Sequence, residues 1–185
     1  MLFEAYADYN ETWGVHNLDV MAGYSWQNNR WSDRNVTYFN ETDEIKLEPG
    51  ETADTRYLTY RNENYLVSFY GRVNYSIHSR YVFTFTARGD GSSKFAKGNK
   101  WGFFPSFSLA WNIAKESFMD NAAWLSNLKL RAGWGTVGND RISNYLSMDL
   151  YTPSKYGVGS SQVTVLTPKQ IANENLKWEG STTAN

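Results

Sequence analysis

Apolar and polar residues alternate with a period of two along much of the chain. The pattern is clearest where Tyr65, Val67, Phe69, Gly71, Val73, Tyr75 and Ile77 interleave with Leu66, Ser68, Tyr70, Arg72, Asn74 and Ser76. Such a period puts alternate side chains on opposite faces of a β-strand. It predicts further strands with apolar sides of Leu18, Val20, Ala22, Tyr24 and Trp26, and of Tyr81, Phe83, Phe85, Ala87 and Gly89. Two more carry Phe103, Pro105, Phe107, Leu109, Trp111 and Ile113, then Leu128, Leu130, Ala132 and Trp134. A weaker strand opens the chain with Phe3, Ala5, Ala7 and Tyr9, and a seventh is expected to begin at Leu176. None of the six apolar faces holds a charge, whereas the opposite faces hold Glu4, Asp8, Asp19, Arg72, Arg88, Asp90, Lys129 and Arg131.

The connections alternate in length. Those at Trp13 to His16 and His78 to Arg80 are tight. The segments Asn28 to Asn62, Gly91 to Lys100 and Gly138 to Asn175 are rich in Gly, Asn, Asp and Ser and read as long loops. Ala114 to Asn127 spaces Phe118, Ala122 and Leu125 as a short helix would, on the side of the tight turns. Long loops at one end and short turns at the other are the asymmetry of outer-membrane barrels.

Alternation alone does not separate a lipid-facing strand from one in a soluble β-sandwich, so a sandwich that binds carbohydrate through exposed aromatics stands as the alternative. Position along the strands favours lipid. Tyr24, Trp26, Tyr65, Tyr75, Tyr81, Trp111 and Trp134 lie near strand ends, while Val67, Phe69, Val73, Phe83, Phe85, Phe107, Leu109 and Leu130 occupy the middles. Amphipathic rings belong at a water boundary, so this arrangement reads as two aromatic girdles around a hydrocarbon band. The fold class expected is therefore all-β, an antiparallel transmembrane β-barrel segment of six or seven strands. That is fewer than the roughly eight of the smallest bacterial barrels, so residues 1–185 read as part of a larger barrel. On the lipid side Phe69→Arg is expected to lower the folded yield; on the lumen side Ser68→Arg is not.

Composition agrees. Aromatic residues make up 17% of the 185 residues, too many for a disordered tail. A formal net charge of -1 argues against a nucleic-acid partner, and the absence of cysteine excludes thiolate metal sites and cysteine nucleophiles. With only His16 and His78, a histidine-rich metal site is not expected. The dispersed carboxylates Asp90, Glu116, Asp140 and Glu174 have no partnered base in sequence, so no catalytic residue, cofactor site or metal site is assigned, and the chain does not read as an enzyme.

Gly133, Gly135 and Gly138 satisfy G-x-G-x-x-G, but the preceding strand carries Lys129 and Arg131 and no apolar helix follows. They read as a strand end curving into a loop. Arg88, Gly89 and Asp90 lie where a strand meets its loop and read as rim structure. Pro105 cannot donate to a ladder and predicts a local bulge.

From Arg88, Asp90, Gly91, Ser92, Ser93, Lys94 and Phe95 through Trp101, Gly102, Phe104, Pro105, Ser106 and Trp111, the chain resembles the signature of SusC/RagA-type TonB-linked outer-membrane transporters. The similarity continues through Trp124-Leu125-Ser126, Leu128-Lys129-Leu130-Arg131-Ala132, Gly135, Gly138-Asn139, Asn144-Tyr145 and Asn175-Leu176-Lys177-Trp178-Glu179. It covers most of the chain from about Tyr65 to Glu179, and the first two strands loosely.

The resemblance implies a barrel of about 22 strands, closed by an N-terminal plug and energised through the TonB complex. It also implies the outer membrane of Gram-negative, Bacteroidetes-like bacteria, a SusD-like surface lipoprotein as lid, and oligosaccharides or peptides as imported substrates. Plug, TonB-contacting segment and signal peptide are not expected within these residues. Candidate ligand or lid contacts are the loop aromatics Trp31, Tyr38, Phe39, Tyr145, Tyr151 and Tyr156, with Tyr57 and Tyr60 beside them. Arg72, Arg88, Lys129 and Arg131 are expected to face the lumen, pairing with Asp19 and Asp90 across strands or meeting the plug.

Overall fold

The computed structural model describes residues 1–39, 54–120, 124–159 and 161–185, without the side chains of 34–39, 54–60, 161 and 162. Among the described residues nine strands form: β1 Leu2–Trp13, β2 His16–Phe39, β3 Asp54–Ile77, β4 Tyr81–Ser92, β5 Trp101–Asn112, β6 Lys129–Asn139, β7 Leu150–Val158, β8 Ser161–Gln170 and β9 Glu179–Ala184. Seven of them build one antiparallel sheet in the order β1-β2-β3-β4-β5-β6-β9, and β7 and β8 pair as a separate hairpin.

The register carries the apolar alternation across strands. One row runs Tyr9, Val20, Val73, Phe85, Phe107 and Trp134, and the adjacent row on the other face runs Met21, Arg72, Thr86, Ser106 and Gly135. A shift of one residue in any pair would move a whole apolar set to the wrong side, so a continuous face of this width specifies the pairing. Among the described residues that face has no partner layer. Phe69, Phe85, Phe107 and Leu130 stand exposed on it, and the only buried apolar side chain among the described residues, Phe95, lies elsewhere, at the loop end. A β-sandwich would bury Phe83, which is 36% exposed, so the sandwich alternative is set aside.

Aromatics mark both ends of the band. At the turn end Trp13 stacks on His16, His16 on Tyr75 and Tyr81 on Trp111. At the loop end Trp26 meets Tyr65, and Phe69 reaches Trp101 across the glycines of β4. From Trp26 to His16 the strand covers roughly 34 Å, or about 26 Å at a tilt of about 40°, matching an apolar band of about 25 Å. Just beyond Trp26 and Tyr65 the same face turns charged, with Arg30 opposite Glu63.

Four expectations change. Asn28 to Asn62 is not all loop: β2 and β3 stay paired out to Phe39 opposite Asp54. Gly138 to Asn175 contains the β7–β8 hairpin, whose tip takes Gly159 at φ 63°. The expected helix is two 3-10 turns, Ile113–Lys115 and Ser117–Met119, and Ala122 lies outside the described residues. Pro105 sits opposite Ala87 in an unbroken register, with no bulge. Its carbonyl accepts from Thr136 Oγ1 on β6, so its nitrogen also faces β6, where the ladder ends at Ser106 and Gly135. The missing N–H therefore removes no strand bond.

Candidate functional site

The polar face of β4 forms the floor of a concavity of about 670 Å³ walled by β5, β6 and Trp178. Thr84, Thr86, Arg88 and Asp90 line it from β4, and Phe104, Ser106 and Ser108 from β5. Arg88 is fixed on three sides. Its Nε donates to Asp90 Oδ1 at 2.7 Å, an Nη donates to Ser68 Oγ at 3.0 Å, and the guanidinium lies 5.7 Å from the Tyr70 ring centre. Asp90 is 7% exposed and Ser68 fully buried, so the pair is set into the wall with part of the guanidinium open to the concavity.

The Arg88–Asp90 pair runs along one strand rather than across two, as alternate residues on one face permit. Arg72, Lys129 and Arg131 occupy the same polar side, opposite Met21, Asn112 and Ala110, and among the described residues none of them forms an ion pair. Asp19 accepts instead from Asn74 Nδ2 at 3.0 Å. The expectation that Ser68→Arg is harmless is corrected: Ser68 has no free volume beneath Arg88.

Above this wall the signature residues fold onto one another. Phe95 is 1% exposed and packs on Trp178 at 5.3 Å, and Phe104 meets the same indole edge-on at 5.4 Å. The Phe104 ring fills the space that a Cβ on Gly138 would need, and an ideal Cβ on Gly135 would stand 2.8 Å from Ser106 Cβ. These glycines remain inside β6, in place of the expected turn into a loop, and their role is close approach. Lys94 Nζ donates to the Asp140 carbonyl at 2.9 Å, Ser92 Oγ to Asp140 Oδ2 at 3.1 Å, and Trp178 Nε1 to the Lys100 carbonyl at 2.9 Å. Sequence reasoning recognised these residues as a signature without seeing that they meet. The signal available was a run of bulky aromatics beside glycines that only close packing requires.

Among the described side chains, the loop aromatics are not brought together. Tyr145, at φ 65°, accepts from the Glu63 N–H at 3.1 Å and so ties its loop to β3. Tyr151 and Tyr156 stand exposed on the two opposite sides of the β7–β8 hairpin. Trp31 is 60% exposed on the extended part of β2. Tyr38 and Phe39 continue that strand, and Tyr57 and Tyr60 the facing one, with side chains outside the described ones.

Two carboxylates organise the ends. Glu63 accepts from the Tyr65 hydroxyl at 2.7 Å, Asn28 Nδ2 at 3.0 Å and Arg30 at 3.0 Å, and the Tyr65 bond leads in pushing its pKa down to about 2. Glu116, in the connection after β5, accepts from the Trp111 indole and the Tyr81 hydroxyl, and these bonds hold its carboxyl below the usual range. Among the described residues no three His, Asp or Glu side chains gather as metal ligands would, and no helix is long and apolar enough to cross a membrane.

A sheet with one uncovered apolar face, girdled at both ends, turns at one end and folded loops at the other, is a stave of a transmembrane β-barrel. The family model described as "TonB dependent receptor-like, beta-barrel" matches residues 2–185, and the chain belongs to that family. TonB-dependent receptor P3 of Formosa agariphila is 43% identical over 184 residues, which are 97% of this chain and 18% of that protein. TonB-dependent receptor SusC of Bacteroides thetaiotaomicron is 38% identical over 188 residues, again 18% of its length. Among solved structures, the RagAB peptide importer in its "closed-closed" state matches 99% of this chain and 20% of that one, with a TM-score of 0.81 and 24% identity. The "open-open" state matches with a TM-score of 0.81 and 25% identity. The chain thus spans about a fifth of the relatives it matches.

Proposed function

We propose that this chain is a wall section of a nutrient importer in the outer membrane of a Gram-negative bacterium. Its apolar face lies against acyl chains and its polar face lines the lumen, where Arg72, Arg88, Lys129 and Arg131 meet plug or solvent. The outer loops and the β7–β8 hairpin receive ligand and a SusD-like surface lipoprotein, and force reaches the barrel from the TonB complex through a plug on the parent protein. The imported ligand is an oligosaccharide or a peptide, and no bond chemistry is involved. The observation that carries the reading is the row Tyr9, Val20, Val73, Phe85, Phe107 and Trp134, apolar across six strands and uncovered.

Arginine near the middle of a lipid face costs roughly 2 to 4 kcal/mol. In the complete receptor, Val73→Arg and Phe85→Arg should each lower the heat-modifiable folded yield strongly. Thr86→Arg, one residue away on the polar face beside the natural Arg72, should leave it near wild type. Equal yields for all three would end the assignment of faces.

A further inference from the structure

The face that carries the apolar rows does not end at the outer girdle. On β2 and β3 it runs on past Trp26 and Tyr65 into Arg30, Glu63 and Arg61, because the two strands stay paired and keep their alternation. The hydrogen bonds fix the side. The Tyr65 hydroxyl, whose ring meets Trp26, donates to Glu63 Oε1 at 2.7 Å. Arg30 donates to the same oxygen at 3.0 Å through Nη2 and at 3.3 Å through Nε, and Arg61 Nη2 donates to Oε2 at 3.0 Å.

Register sets the depth. Two residues of a strand tilted about 40° climb about 5 Å, so Arg30 and Glu63 stand about 5 Å beyond Tyr65. Arg61 starts one step further out and reaches back to the same carboxylate. The polar layer on each side of a bilayer is about 5 to 8 Å thick, which puts both guanidinium groups among the headgroups.

Charge does not balance there. One carboxylate serves two arginines and leaves an excess of one positive charge. The Glu63 side chain is 16% exposed, against 54% for Arg30 and 55% for Arg61, so the anion sits beneath and the cations point outward. Of its five N–H groups each guanidinium spends at most two on Glu63, and among the described residues neither arginine has a second carboxylate. An exposed ion pair adds little to stability, and one arginine would already pair with Glu63, so the second cation exceeds what holding the ribbon requires. At the turn end, the described strand residues of this face include no arginine or lysine, and the charge there is Glu11.

We infer that Arg30 and Arg61 bind the phosphate of an outer-leaflet lipid, a phosphorylated glycolipid of the lipid A kind. The open edges of a guanidinium match phosphate oxygens in pairs. Below the phosphate, acyl chains continue along Tyr24, Val67 and Phe69, and the long loops place this end on the outer side. The inference rests on the outer-membrane barrel of the proposed function and narrows it: this wall section selects a lipid species as well as an apolar medium.

The test is binding of fluorescent lipid A, and of the same lipid after phosphatase treatment, to the purified complete receptor in neutral detergent. The phosphorylated lipid should bind at least tenfold more tightly, and less tightly as salt rises from about 0.05 to 0.5 M. Arg30→Gln and Arg61→Gln should each weaken it about fivefold, and the double variant more than tenfold. Lys115→Gln, which removes an exposed cation at the turn end, should leave it unchanged. Inorganic phosphate should not displace the lipid. Equal binding of the dephosphorylated lipid, unchanged affinity in the double variant, an equal loss in Lys115→Gln, or displacement by inorganic phosphate would overturn the site. Gel migration reports whether each variant keeps the heat-modifiable barrel; if the double variant does not, the two single losses decide. A folded receptor indifferent to the lipid phosphate keeps the barrel reading and sinks this one, whereas a wild-type receptor that forms no heat-modifiable barrel sinks both.

Discussion

The Tyr81 hydroxyl donates to Glu116 Oε1 at 2.7 Å while its ring stacks on Trp111, whose indole N–H donates to the same oxygen at 2.9 Å. The two rings lie opposite each other on β4 and β5, and the carboxylate comes from the 3-10 connection that follows. One acidic side chain thus satisfies the polar handles of two girdle aromatics and pairs with Arg80 at 3.2 Å. Glu116→Ala should lower the thermal resistance of the complete barrel and free both rings, read as a drop in the temperature at which heat-modifiable migration is lost. Glu116→Gln, whose amide oxygen can still accept from both rings but whose NH2 cannot pair with Arg80, should fall between wild type and alanine.

Gly138 is held to glycine by the Phe104 ring, which in turn supports Trp178 and Phe95. Gly138→Ala should force that ring aside and loosen the loop-end packing, at a cost of about 1 to 3 kcal/mol typical of overpacking. Hydrogen exchange should rise in residues 93–100 and 174–178 while β2 and β3 stay protected. Gly180→Ala, with nothing within 4 Å of the added carbon, is the control and should change little.

The extent to which this architecture could be read in advance follows from where water lies. Val67, Phe69 and Val73 alternate with polar neighbours because one face meets an apolar medium, and that contrast survives in sequence. Asn29, Trp31, Asn62 and Asn64 belong to equally regular strands, but both faces of that ribbon are polar, so no contrast marks them and they read as loop. Tyr156 and Val163 pair in a hairpin hidden by the surrounding Gly, Ser and Pro. The packing of Phe95 on Trp178 joins segments far apart in the chain, which periodicity cannot report. Of the aromatics picked out as ligand contacts, Tyr145 stands in the Asn144-Tyr145 pair of the signature, yet its tie to Glu63 depends on how its loop folds back.

Arg88 and Asp90 call for a double-mutant comparison. Removing Arg88 leaves a carboxylate that is 7% exposed without its guanidinium partner, and removing Asp90 leaves the guanidinium with Ser68 and the Tyr70 ring. Because Arg88 is partly open to solvent, each single alanine variant should cost about 1 to 3 kcal/mol rather than the larger penalty of a fully buried pair. The double variant should cost clearly less than the two singles together, measured as urea-dependent folding of the receptor into vesicles. Additive losses would mean that the pair does not act as a unit. Ser68→Arg should reduce the yield, since the added side chain has no room under Arg88.

Glu63 gives the extended ribbon a pH dependence of known sign. Its carboxyl titrates at about 2 when folded, against an ordinary value of 4.5, because Tyr65, Asn28 and Arg30 all donate to the ionised form. A depressed pKa means the unfolded ribbon binds the proton more readily, so the contribution is fully present above about pH 4.5 and is lost as the pH falls toward 2. Exchange protection of residues 28–31 and 61–65 should therefore hold at neutral pH and decline through that window, while the lipid-facing rows of β3 and β4 remain protected. Glu63→Gln should weaken the ribbon at neutral pH and flatten the decline. A ribbon in the variant that still loosens between pH 4.5 and 2 as wild type does would assign the dependence to another group.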